Sequence, residues 1–243
     1  MPTLSSSQYM ESLQFSIQEL QRLSSHNLDK PVLDCPGWAV QDLIAHVGKV
    51  FAMVDAVVVP RSLVRVGPGA EAVAPQGVEL GSWFATRCDS VLQSLSGVSP
   101  DEKMWTWSRQ QTAGFYFRRM ANEAAVHVCD LQRALGIEAS MNREIACDGI
   151  DELYTEMLPF WAQRNQTELP QGTLHLHSTD GPGEWLLSPH GFELEVQHAH
   201  AKGDVAWRGS AVNLILAGWG RKDVNLEILG DVAVSDQWNS CAP

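Results

Sequence analysis

Basic residues are scarce in this chain. Seventeen Lys and Arg stand against 29 Asp and Glu, a formal net charge of −12 over 243 residues. A field of that sign repels phosphate backbones and anionic lipid, so neither nucleic acid nor a membrane surface is expected as a partner held by bulk charge. A small anionic substrate needs only one local Arg or Lys and remains open. Paired cysteines are missing too. Cys35, Cys88, Cys129, Cys147 and Cys241 are odd in number, scattered, and never spaced C-x-x-C, which predicts free thiols in a reducing cytoplasm. The longest apolar stretches, such as Phe51 to Pro60, are too short to span a bilayer and contain Asp55. The opening Met-Pro-Thr-Leu-Ser-Ser-Ser lacks the basic-then-apolar order of a signal peptide. A phosphate loop, a dinucleotide fingerprint and a nucleophile elbow are also absent, since Gly181-x-Gly183 and Gly218-x-Gly220 lack the required strand-to-helix context.

What is present is ordinary globular material: 44% hydrophobic and 19% charged residues, enough for one large core or two modest ones. Helical periodicity dominates the first two thirds. Tyr9, Leu13, Ile17, Leu20 and Leu23 form one stripe within Ser5–Ser25; Val40, Leu43, Ile44, Val47, Phe51, Val54 and Val58 form another from Trp38 onward. Gly67-Pro68-Gly69 to Pro75 reads as loop. Further helices are expected near 78–95, over 113–135 with Gly136 as its C-terminal cap, and over 144–164. After Pro170 the texture changes to alternation, in Thr173–Ser178 and Phe192–Val196, with a short apolar run at Glu184–Leu187. Asp180-Gly-Pro-Gly183 supplies a turn between two of these strands. Ser210 caps an apolar helix over 211–219, and 224–229 reads as a strand. The fold class expected is α+β: a helical bundle over 1–167 and a small α+β domain over 168–243, with the boundary near 165–172.

One helix carries an electrostatic anomaly. Met120, Ala124, His127, Leu131 and Leu135 recur at spacings of three and four, and Glu123 falls inside that stripe. An unpaired carboxylate there would cost several kcal/mol, so it must be paired, protonated or given a metal. Glu123 and His127 are one turn apart and project the same way, which suits two ligands of one cation. A buried hydrogen-bonded pair is the alternative. The best third ligand is His46, beside the apolar stripe of the second helix, because bundles build metal sites from inward-facing side chains on different helices. Asp42 precedes His46 by one turn and Asp130 follows His127 by three residues, so each could orient its histidine. Two further pairs, His175/His177 and His198/His200, have strand spacing and could share a face. Neither has an acidic or thiolate partner close in sequence.

The segment Cys35-Pro-Gly-Trp-Ala-Val-Gln-Asp-Leu-Ile-Ala-His-Val-Gly48 resembles the W-x-x-x-D-L-x-x-H element of DinB-like metal-binding bundles. Arg118-Arg-Met-Ala-Asn-Glu-Ala-Ala-Val-His-Val-Cys-Asp130 resembles their R-x-x-x-E-x-x-x-H-x-x-D signature. Together they resemble the mycothiol-dependent maleylpyruvate isomerase family. So do Leu174-His-Leu-His-Ser-Thr-Asp-Gly-Pro-Gly-Glu-Trp185, Trp207-Arg-Gly-Ser-Ala211 and Gly218-Trp-Gly-Arg221, in that family's appended domain. The resemblance covers almost the whole chain. It implies a DinB-like up-down four-helix bundle, with His46, Glu123 and His127 as ligands of Zn2+ or another divalent metal. It also implies a functional arginine at Arg221, whose alternative role is a helix C-terminal charge favoured by the dipole. Val128-Cys129 replaces the basic residue and Trp often found before the Asp, which alters the pocket wall.

The implied chemistry is activation of a low-molecular-weight thiol, mycothiol or similar, as cosubstrate. A coordinating metal deprotonates a thiol, and the thiolate is the nucleophile. Addition to a small electrophilic substrate gives isomerisation of an unsaturated carboxylate or S-transfer, with Arg221 holding the carboxylate. Two rival readings stay open: a non-enzymatic metal or small-molecule binding protein, and a hydrolase using metal-activated water. None of the five cysteines suits a protein-borne nucleophile, and Cys129 reads as a small buried hydrophobe. Substrate, thiol, metal and oligomeric state are not fixed by the sequence.

Overall fold

A computed structural model describes residues 4–242. Met1 to Thr3, the start of the stretch read for a signal peptide, lie outside the described residues. The chain forms two compact units, Leu4–Met141 and the part from Asn142 onward.

Four long helices build the first unit: α1 (Ser6–Ser24), α2 (Val40–Val58), α3 (Leu80–Ser96) and α4 (Gly114–Ala134). Ser5 begins α1 with a capping box: the Gln8 N–H donates to its hydroxyl at 3.3 Å, and its own N–H donates to the Gln8 side chain at 2.9 Å. Tyr9, Leu13, Ile17, Leu20 and Leu23 are buried as one stripe, and α1 packs mainly along α4 while α2 packs mainly along α3. Gly136, at φ +71°, ends α4, with the Ile137 N–H donating to the Gln132 carbonyl at 2.9 Å. α4 is buried around most of its circumference, so its polar residues have to be satisfied by protein partners or by a ligand.

The second unit begins earlier than the change of texture near 165–172. α5 (Arg143–Glu152) and α6 (Leu158–Asn165) belong with the sheet, not with the bundle. α5 packs on α7 (Ala211–Gly218), and Asp151 Oδ1 accepts from the Trp185 indole at 2.7 Å. A domain border therefore precedes the last helices, and the expected limits of 1–167 and 168–243 shift to 141/142. The helix expected over 144–164 is interrupted by a π-helical turn, Leu153–Met157. Pro159 has no N–H to offer the Thr155 carbonyl, which breaks the regular ladder at this point.

Five strands make one sheet in the order β3-β2-β1-β4-β5: β1 (Leu174–Ser178), β2 (Glu184–His190), β3 (Glu193–Gln197), β4 (Val205–Gly209) and β5 (Glu227–Gly230). β1 and β4 are parallel; the other pairs are antiparallel. β4, a five-residue strand, and α8 (Val232–Ser240) were not expected from the sequence. Leu174, Leu176, Trp185, Leu187, Val205 and Trp207 are buried on one face. The pairing register puts His175, His177, Glu184 and Arg208 on the other.

Candidate metal centre

His46 on α2 and Glu123 and His127 on α4 converge. His46 Nε2 lies 3.1 Å from Glu123 Oε1, and His127 Nε2 lies 3.2 Å from the same oxygen. The two imidazoles meet edge to face at 5.1 Å between centroids. The three donor atoms all fall within 4.8 Å of one another. Asp130 Oδ2 accepts from His127 Nδ1 at 3.0 Å, which assigns the proton to Nδ1 and turns Nε2 toward Glu123.

Two residues contribute that helical spacing alone did not single out. Arg119, one turn before Glu123, pairs with its Oε2. Trp38 lies against His46 at 5.1 Å between ring centroids and restricts the imidazole's rotation. Both were visible as the R and W of the matched segments. Asp42, in contrast, does not orient His46. Its carboxylate accepts from the Ala39 N–H at 2.8 Å and caps α2, the ordinary use of an acidic residue in a first helical turn. Arg221 follows α7: Gly220 takes φ +75°, and the Arg221 N–H donates to the Leu216 carbonyl at 2.9 Å. Its guanidinium donates to the Trp219 carbonyl at 2.7 Å.

Burial alone would raise the Glu123 carboxyl, but Arg119 and His127 beside it hold it well below the ordinary value. Burial also opposes charge on His127, yet Glu123 and Asp130 push the imidazole up to about 9. Both shifts express one demand, positive charge beside a buried carboxylate, which a proton or a bound cation answers equally. The donor set fits a cation such as Zn2+: two imidazole nitrogens and one carboxylate oxygen on rigid helices, leaving a fourth tetrahedral position for an exogenous ligand.

A helical bundle with a two-histidine, one-carboxylate cluster between its helices, joined to an α+β unit, defines the class of protein. Residues 10–132 match the sequence model of the mycothiol maleylpyruvate isomerase N-terminal domain, and 144–237 match that of its C-terminal domain. The chain belongs to the mycothiol maleylpyruvate isomerase family. Its fold is similar to the crystal structure of the mycothiol-dependent maleylpyruvate isomerase, with TM-score 0.65 and 16% identity over 94% of this chain and 95% of that one. A histidine-to-alanine mutant of that enzyme gives TM-score 0.64 and 15% identity with the same coverage. No curated protein matches in sequence.

Proposed function

We propose that this protein is a thiol-dependent isomerase that uses mycothiol or a similar low-molecular-weight thiol to convert an unsaturated carboxylate between its geometric isomers. The observation that carries this reading is the convergence of His46, Glu123 and His127 on one point in a chain of this family. Those three residues would hold a divalent metal, with Zn2+ favoured by the donor set. When bound, such a cation lowers the pKa of a thiol so that thiolate exists at neutral pH.

The chain's own residues do the rest. Asp130 keeps the His127 proton on Nδ1. Arg119 balances the Glu123 charge and prevents the carboxylate from rotating away. Arg221 is assigned to the substrate carboxylate, which a guanidinium binds through two parallel N–H donors. In the reaction, sulfur adds to the conjugated double bond and the electron pair moves onto the adjoining carbonyl. The carbon–carbon bond, now single, rotates; the pair returns and the carbon–sulfur bond breaks. The thiol is regenerated and no oxidant is consumed. With an electrophile that does not expel sulfur again, the same first step ends as S-transfer.

The test is turnover of an unsaturated dicarboxylate by metal-loaded protein with mycothiol, with glutathione or with no thiol. Mycothiol-dependent isomerisation is expected, with His127→Ala lowering it at least 100-fold. Turnover that ignores added thiol would replace this reading with water activation. Tight ligand binding without turnover would replace it with a binding protein.

A further inference from the structure

A second cluster of metal-ligating side chains occupies the polar face of the sheet in the C-terminal unit. In β1, His175 and His177 are two apart and share that face; the β1–β2 register places Glu184 directly beside His177. His200 reaches the same point from the connection between β3 and β4. Glu184 Oε2 lies 2.6 Å from His200 Nδ1 and 3.4 Å from His175 Nε2, while Oε1 lies 3.1 Å from His177 Nδ1. The three imidazole centroids are 5.5, 6.0 and 6.1 Å apart. All four donor atoms fall within 4.8 Å of one another.

Hydrogen bonding alone does not account for this arrangement. The His175 side chain is only 8% exposed, and its Nε2 is aimed at Glu184 yet makes no hydrogen bond. At 3.4 Å the contact is longer than a good hydrogen bond and holds this buried ring nitrogen only loosely. A tetrahedral cation with bonds of about 2.0 Å sets its ligand atoms about 3.3 Å apart, close to the contacts seen around Glu184.

We infer that His175, His177, Glu184 and His200 form a second metal site, for a borderline divalent cation of the zinc class, which fastens the β3–β4 connection to the β1–β2 pair. Three imidazoles and one carboxylate suit Zn2+, Ni2+ or Cu2+, whereas Ca2+ and Mg2+ prefer oxygen donors. Four protein ligands close the coordination sphere, so the role is structural and no substrate position is left. The ligands come from three separate places in the sequence. Of the four ligands only His200 is exposed, at 79% of its side chain, and it already lies 2.6 Å from Glu184.

The experiment uses the full chain, stripped with chelator and titrated with Zn2+. Two ions per chain are expected for the wild type and one each for His127→Ala and His177→Ala, with none tightly held by the double variant. His200→Ala, which changes an exposed side chain and leaves the sheet intact, should weaken one of the two ions by at least 10-fold. In the His127→Ala background, Zn2+ but not Mg2+ should slow tryptic cleavage after exposed Lys202. The inference is overturned if His177→Ala and the wild type hold equal numbers of ions, or if Zn2+ leaves cleavage at Lys202 unchanged. Loss of the ion from the helical bundle alone would show as one ion in the wild type that survives His127→Ala and vanishes in His177→Ala.

Discussion

Which nitrogen of His127 faces Glu123 is decided by a carboxylate on the ring's other side. Asp130 is fully buried and holds Nδ1 at 3.0 Å, so its removal frees the imidazole to rotate and to change tautomer. Asp130→Asn keeps the shape but loses the charge; Zn2+ affinity in the bundle should fall about 10–100-fold, measured by chelator competition, with the far-ultraviolet circular dichroism unchanged. The cysteines supply a second residue-level prediction. Burial pushes the Cys88 thiol up to about 12 and, as the largest cause, the Cys147 thiol up to about 11. Both remain protonated at pH 8, so mass mapping should find them unlabelled by iodoacetamide in the native protein and labelled after unfolding. Rapid labelling of either would reopen the case for a protein-borne nucleophile. Helical spacing was enough to pair Glu123 with His127, because one turn of α4 fixes both. It could not bring His46 from α2, which needed the matched segments, and it misjudged Asp42, because a first-turn carboxylate satisfies its own helix end before it reaches the next turn.

At the scale of elements, the sequence showed where periodicity was strong and failed where an element is defined by its neighbours. All four bundle helices carry clear stripes. β4 is no shorter than β1 or β3, but its strand character comes from lying between β1 and β5. The pair His175/His177 was visible, but Glu184 joins it only through the hairpin register, and His198 does not accompany His200, its ring lying 3.2 Å from Asp151 instead. Gly230 shows how tightly β5 meets its surroundings. It sits at φ +101°, and a Cβ there would come within 2.4 Å of the Asp204 carbonyl. Gly230→Ala should therefore destabilise the C-terminal unit by about 2–3 kcal/mol in denaturant unfolding. Between α2 and α3, buried Asp55 accepts from the Ser94 hydroxyl at 2.6 Å, and burial raises its carboxyl above the ordinary 3.8. The native state thus holds this proton more tightly than the unfolded chain does. Its contribution to stability is complete below the unfolded value and is lost as pH rises through the native one. Asp55→Asn should flatten that slope and raise the denaturant midpoint at pH 7. A midpoint lowered at pH 7 but unchanged at acid pH would instead show the ionised carboxylate to be stabilising.

For the whole molecule, the informative border is the one the sequence texture misplaced. Helix gives way to strand near residue 170, but packing divides the chain at 141/142. A transition in secondary structure records local propensity, whereas a domain border records which apolar faces cover one another. Ile145, Ile150, Leu153, Tyr154 and Leu158 are all buried in the segment between the two candidate borders, and Asp151 is tied to the Trp185 indole. Burial of five such side chains at about 2 kcal/mol each comes to about 10 kcal/mol. That is comparable to the whole stability of a domain this size, about 5–15 kcal/mol. Two C-terminal fragments separate the alternatives. Residues 142–243 should unfold cooperatively with the tryptophans buried in the native form, whereas 168–243, deprived of α5 and α6, should show red-shifted tryptophan emission and no transition. Cooperative unfolding of the shorter fragment would return the border to the helix-to-strand junction.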